Sequence, residues 1–277
     1  MRIVTDTGAL YSPEEGKSIG LDVLPLHVIV DKKSYKEYVD VSSEEFLEIV
    51  KSGKIPSSSQ PSIGETMQLF ESMKDEEILV INMADGLSGT YQSTLAAKES
   101  SEFPDKIHVM NSMTLCGPQR YLVEKALKLK AEGLDLEHIK KELYKSIASE
   151  KSFLIPQDFG FLKRGGRLTP LAATVGGMLK ITPIMTTTKD ARRLEKYGMK
   201  KTFKSAIKEI IKSFQEMGVN EDYKIYICHA GVLEQAKNVQ AMLESAFENA
   251  DIEIQYLSPV YIAQGGPGCI AVQTIRK

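Results

Sequence analysis

Ile78-Leu79-Val80-Ile81-Asn82-Met83-Ala84-Asp85-Gly86-Leu87-Ser88-Gly89-Thr90-Tyr91 begins as an unbroken apolar run and ends in glycines and hydroxyls. A short apolar run bounded by turn residues reads as a buried strand, here near 78–83, and the glycines and hydroxyls after it read as a sharp turn into a helix near 90–101. The first N–H groups of such a helix lack internal partners and sit at the positive end of its dipole. A carboxylate or phosphate oxygen is therefore favoured beside Ser88 and Thr90. Gly89 has no Cβ and lets the backbone come close to a ligand.

Outward from this stretch the first half alternates strand and helix signals, the pattern that builds a parallel sheet covered by helices. Strands are expected near 2–5, 23–30, 78–83 and 107–110, and helices near 43–52, 63–73, 90–101, 117–132 and 136–148. After about residue 150 the character changes, where Phe153-Leu154-Ile155-Pro156 precedes the basic, glycine-rich stretch Lys163-Arg164-Gly165-Gly166-Arg167. Two α/β domains are expected, an N-terminal one over 1–150 with a parallel sheet covered by helices, and a C-terminal one over 151–277 with a mixed sheet and helices. In the second, Phe203, Ala206, Ile207, Ile210, Ile211 and Phe214 share one helical face. Tyr223–Cys228 alternates as a strand, a helix follows over about 233–247, and strands near 252–257 and 269–275 close the chain.

Composition removes several function classes. A chain of 277 residues is long enough for a core and a ligand cavity, and its net charge of −2 and pI near 6.2 give no electrostatic case for nucleic acid. Cys116, Cys228 and Cys269 stand in no metal or redox spacing, which reads as buried thiols in a reducing cytoplasm. The first residues enter a strand without a signal-peptide pattern. Residues 254–275 carry no charge, but glycines, prolines and glutamines interrupt them, so two buried strands are expected there and not a membrane span. No full phosphate-binding loop, dinucleotide fingerprint or metal-ligand cluster is present, so no cofactor and no metal are expected.

Four polar clusters fall at expected strand ends or glycine turns, where open α/β sheets bind ligands. They are Thr5-Asp6-Thr7-Gly8, Ser57–Ser62, Ser88-Gly89-Thr90 and Gly165-Gly166-Arg167, and a fifth turn, Gln264-Gly265-Gly266-Pro267-Gly268, can approach the same place. Taken singly, each also reads as an ordinary turn or helix cap.

Together they resemble the DegV family, whose members carry an Asp-Ser motif after the first strand, a Thr-Ser-x-Pro-Ser loop, a Leu-Ser-Gly-Thr-Tyr turn, a Gly-Gly-Arg motif and a closing Gly-Pro-Gly. The stretches that carry the resemblance most specifically are Gly86–Ser93, Phe161–Leu168 and Gly177–Ile184. The resemblance implies a bacterial protein holding a long-chain fatty acid between its domains, tail buried and carboxylate at the mouth. It further implies that a separate ATP-dependent fatty-acid kinase phosphorylates the bound acid for phospholipid synthesis. Carried over by position, Ser58 and Ser88 would bind the carboxylate with Gly89 and Thr90 at the turn, and Arg167 would stand near the head group.

The chain departs from the family pattern in places. Where the family usually has a histidine before Gly-Pro-Gly this chain has Gln264, which can hydrogen-bond a carboxylate but takes no charge near neutral pH. Ile181-Thr182-Pro183 replaces Ile-Lys-Pro, and Asn111-Ser112 replaces a second Asp-Ser. The opening motif lacks its second acidic residue, since Leu10 or Tyr11 occupies that region.

A buried acyl tail gains about 0.8 kcal/mol per methylene, on the order of 10 kcal/mol for a long chain, against roughly 1.5–3 for each hydrogen bond to a charged head. Ala172, Ala173, Val175, Gly176, Met178, Leu179, Ile184 and Met185 are the expected tunnel wall, and equally read as ordinary core. Two rival readings stand beside the lipid one. Gly86-Leu87-Ser88-Gly89 half-resembles the Gly-x-Ser-x-Gly elbow of a serine hydrolase, with His229 as base and Asp158 or Asp222 as orienting acid. Alternatively the hydroxyl loops hold a phosphate or a sugar.

Overall fold

The computed structural model describes residues 1–174 and 181–277. β1 (Arg2–Asp6) is followed by α1 (Pro13–Ser18), β2 (Leu21–Leu24), β3 (His27–Val30), β4 (Lys33–Lys36), α2 (Ser43–Lys51), β5 (Ser57–Ser59), α3 (Ile63–Glu71), β6 (Ile78–Asn82), α4 (Thr90–Glu99), β7 (Ile107–Asn111), α5 (Cys116–Ala131) and α6 (Leu136–Ile147). Beyond residue 150 come β8 (Lys151–Ile155), α7 (Phe159–Gly165), α8 (Pro170–Ala173), β9 (Thr182–Thr187), β10 (Leu194–Lys200), α9 (Phe203–Glu216), β11 (Tyr223–His229), α10 (Leu233–Glu244), β12 (Asp251–Tyr256), α11 (Pro259–Gly265) and β13 (Ile270–Arg276).

β6 is apolar at four successive positions because it is an inner strand of a parallel sheet, order β2-β1-β6-β7, and every residue of it is buried. Ile78 and Val80 pack with Val4, Phe70 and Ile107, while Leu79 and Ile81 face the other way, with Leu122 and Val123. Ser12, Ser42 and Ser62 each start a helix in a capping box with a glutamate three residues on. Ser62, the last hydroxyl of the Ser57–Ser62 cluster, is thus a helix cap.

The residues after 150 build a mixed sheet, order β10-β9-β8-β13-β11-β12, in which β11 and β12 run parallel and the remaining pairs antiparallel. The expected face of α9 packs on it through Ala206, Ile207, Ile210 and Phe214, with Phe153, Ile227 and Val272. The expected strand at 23–30 is two strands. Pro25 fixes its own backbone angle and has no N–H, so the chain breaks there: β2 stays in the parallel sheet and β3 joins an antiparallel sheet, order β4-β3-β5. Between the two closing strands the chain forms α11, a helix that the sequence pattern does not announce. None of the described helices is long and apolar enough to cross a membrane.

The two large sheets share one apolar cluster, which joins Leu79, Ile81, Leu122 and Val123 to Tyr226, Cys228, Leu257 and Ala271. All three cysteines are buried, free thiols within it. At its centre α5 lies so close to β11 that a Cβ on Gly117 would sit 2.1 Å from the ring of Tyr226, itself fully buried. Gly117→Ala is therefore expected to lower unfolding free energy by about 1–3 kcal/mol or more, because neither a helix backbone nor a packed ring can yield. Denaturant unfolding of the two proteins checks it, and equal midpoints would show that the contact is loose.

Candidate functional site

The parallel strands β1 and β6 end side by side, and a buried carboxylate fixes those ends. Asp6 accepts hydrogen bonds from the N–H of Gly8 (2.9 Å) and of Met83 (2.9 Å), from Asn82 Nδ2 (3.0 Å) and from Gln119 Nε2 (3.1 Å). Burial pushes its pKa up while these bonds pull it down. Thr5-Asp6-Thr7-Gly8 is thus the anchor of the strand ends, and the turn carrying Ser88 leaves from that anchor.

Four of the sequence-derived residues meet in one cavity of about 70 Å³: Ser58 of β5, Ser88 before α4, Arg167 after α7 and Gln264 of α11. Their hydrogen bonds set which protons face inward. Gln264 Nε2 donates to Ser58 Oγ at 2.9 Å, so the Ser58 oxygen is used as an acceptor and its proton is left to donate. Gln264 is wedged on its other side against the Gly-Gly-Arg turn, where a Cβ on Gly165 would lie 2.1 Å from Oε1. Ser88 Oγ accepts from the Thr90 N–H (3.3 Å) and lies 2.8 Å from Thr90 Oγ1, an arrangement that frees the Ser88 proton when Thr90 is the donor.

Arg167 is half-buried and held by backbone. Its Nε donates to Leu87 O (3.1 Å) and its Nη1 to Gly165 O (2.6 Å). Burial, and secondarily the nearby Arg193, lower its pKa from the usual arginine value. Among the described residues no carboxylate lies within ion-pair distance of it. Two hydroxyls and a guanidinium without an ion-pair partner among the described residues surround one small cavity, an arrangement chemically able to accept a carboxylate or another small oxyanion.

Gly89 and Thr90 stand behind this cavity and not on its wall. Thr90 is buried beneath Ser88, and Gly89 faces the amide of Gln60, 3.1 Å from an ideal Cβ, along an outer groove. A second cavity of about 70 Å³ adjoins the first through Leu115, Leu194 and Tyr261, which line both, and continues past Leu154, Met185, Leu257 and Ala271. Met185 is therefore cavity wall, as expected. Ile184 is not, because it faces the opposite side of β9 and packs with Phe153 and Ile207. Ala172 packs with Leu162, Leu168 and Met185. Val175, Gly176, Met178 and Leu179 lie outside the described residues. Tyr261 escapes a reading of the sequence along with α11; its only signal there is that it stands three residues before Gln264, on the same helix face.

The serine-hydrolase constellation does not assemble. His229 is buried at the end of β11, its Nδ1 accepts from the Val232 N–H (3.3 Å) and its ring packs on Tyr256. Asp158 caps α7 through the Gly160 N–H (2.7 Å), and Asp222 pairs with Arg276 (3.1 Å). Ser88 also lacks the left-handed backbone of a strained nucleophile turn; at that turn only Gly86 (φ 93°) has it.

Known proteins share both the sequence and this arrangement of elements. The family model described as "Uncharacterised protein, DegV family" matches residues 1–277. A DegV domain-containing protein of Halalkalibacterium halodurans is 32% identical over 275 residues, covering 98% of this chain and 96% of that protein. Among solved structures, a fatty acid binding DegV family protein from Streptococcus agalactiae superposes with a TM-score of 0.88 at 27% identity, covering 100% of this chain and 98% of that one. DegV of Bacillus subtilis, described as a fatty acid binding protein, gives 0.87 at 26% identity, covering 100% and 99%.

The geometry of Ser88 gives a direct test. With no histidine positioned to take its proton, Ser88 is expected to resist a fluorophosphonate probe, and intact-mass measurement after incubation should show unmodified protein. Labelling lost in Ser88→Ala, together with esterase turnover, would establish the hydrolase instead.

Proposed function

This chain belongs to the DegV family, and from that premise we propose that it binds a long-chain fatty acid, the carboxylate held by Ser58 and Ser88 beside Arg167 and the tail running into the apolar cavity. The observation that carries this reading is that the two cavities lie side by side. A donor-lined space shares Leu115, Leu194 and Tyr261 with an adjoining one walled by Leu154, Met185, Leu257 and Ala271. That order of polar and apolar surface matches an amphiphile with one charged end. A phosphate or sugar would need donors where the second cavity offers side-chain carbon. Residues 1–150 and 151–277 are the two units between which the acid lies. That two solved relatives are described as fatty acid binding proteins supports the class of ligand.

The division of labour follows from magnitudes. The tail supplies on the order of 10 kcal/mol before ordering costs, at about 0.8 per methylene, and each head-group hydrogen bond roughly 1.5–3. The tail sets affinity and the hydroxyls set polarity. Ser88→Ala should therefore weaken binding of cis-parinarate by about 1–3 kcal/mol without abolishing it. Fluorescence titration measures this, and an unchanged Kd would remove Ser88 from the carboxylate site.

The bound acid is in turn presented to a separate ATP-dependent fatty-acid kinase, and Gln264 offers a neutral amide where the family usually has a chargeable imidazole. This chain should then bind fatty acid normally yet be phosphorylated slowly, and Gln264→His should speed acyl-phosphate formation with little change in affinity. Radiolabel transfer from ATP with a kinase of the family checks it. A wild-type rate equal to that of a histidine-containing relative, with no gain from the substitution, would show that the amide suffices.

A further inference from the structure

Behind the head-group cavity lies an acid that binding alone does not call for. Glu37 is wholly buried, and both backbone segments that touch it are cavity wall: its N–H donates to Leu26 O at 3.0 Å and its Oε2 accepts the Val260 N–H at 2.9 Å. Its Oε1 accepts the hydroxyl of Thr7, whose own oxygen accepts the Leu26 N–H at 2.9 Å. Glu37 thus ties the end of β1, the approach to β3 and the start of α11, the helix that carries Tyr261 and Gln264.

No cation among the described residues pairs with it. The groups facing it are Asp6 from β1, whose charge opposes its ionisation, the side chain of Ser258 before α11, and its neighbour Tyr38, a phenol kept neutral by burial. Tyr261 on α11 is likewise neutral, since burial raises its pKa well above the usual value. Burial raises the Glu37 pKa to about 7, against the pull of Thr7 and Val260.

We propose that Glu37 makes fatty-acid binding pH-dependent, because a ligand carboxylate in the cavity and a charged Glu37 one residue behind its wall repel each other, so that the bound form keeps Glu37 protonated. This rests on the fatty-acid reading above. The sign follows from linkage. The ligand raises the Glu37 pKa further, so affinity is greatest below the free-protein value, falls as pH rises through it, and levels off above the bound-state value. A one-unit rise on binding corresponds to about a tenfold loss of affinity across the window and an uptake of about half a proton per ligand at its midpoint.

The test is titration of the delipidated protein with cis-parinarate, its own carboxylate ionised throughout, at intervals between pH 6 and 9, with calorimetry in two buffers of different ionisation enthalpy. The expected result is a Kd that rises about three- to tenfold with pH and proton uptake near pH 7.5, both lost in Glu37→Gln. Should that variant not fold, Glu150→Gln decides in its place: a slope and proton uptake kept there support Glu37, and their loss overturns the proposal. A flat Kd without proton uptake overturns the proposal and leaves fatty-acid binding standing. So does a slope that survives in Glu37→Gln, which would point to Asp6 or Glu150, two other carboxylates whose pKa burial raises. No parinarate binding at any pH contradicts the fatty-acid reading itself.

Discussion

The ligand end of this molecule depends on one buried carboxylate. Asp6 gathers four N–H donors, two from backbone and two from side-chain amides, and in doing so fixes β1, β6 and α5 relative to one another. A carboxylate so deep is tolerable only when its lone pairs are filled, and removing any one donor leaves a charge or a proton to be accommodated without solvent. The turn that offers Ser88 begins one residue beyond the anchored Met83 N–H. α5, which supplies Gln119, also brings Gly117 against Tyr226 and so positions the second sheet. The same group therefore sets both the donor and the wall that the site needs.

From that anchor the site is assembled by borrowing. Ser58 comes from a three-residue strand, Ser88 from a strand-to-helix turn, Arg167 from the turn after α7 and Gln264 from α11. The Gln264 to Ser58 hydrogen bond spans 206 residues of sequence. Such a site exists only in the folded chain, and its polarity is set by which oxygen is already accepting. Glutamine in that role donates in one fixed sense, so the inward proton of Ser58 does not depend on pH. Whatever pH dependence the site has must come from deeper groups, among which Glu37 touches two segments of the head-group cavity wall, at Leu26 and Val260.

Much of this was legible in the sequence where a physical pattern is one-to-one with structure. Four apolar residues at 78–81 followed by a glycine turn read as a strand covered on both faces, and the 203–214 spacing as one helical face. The motifs that resemble the family brought Ser58, Ser88, Arg167 and Gln264 to one cavity. Other parts were hidden for identifiable reasons. Val260-Tyr261-Ile262-Ala263 is buried all round, so it shows no helical period and reads as strand; only Ser258-Pro259 marks a helix start. In β9 the two apolar residues Ile184 and Met185 are adjacent, and nothing local says which of them faces the cavity. Glu37 carries no signal, because its burial is created by three elements from distant parts of the chain.

The central claim is that the adjoining cavities hold one fatty acid per chain, and native mass spectrometry tests it most directly. Protein purified from bacterial cells should show a mass excess matching a single long-chain fatty acid. Delipidation should remove that excess, and added stearate should restore one equivalent and no more. A protein that carries no acyl species as purified, and takes up none when stearate is supplied, would contradict the account.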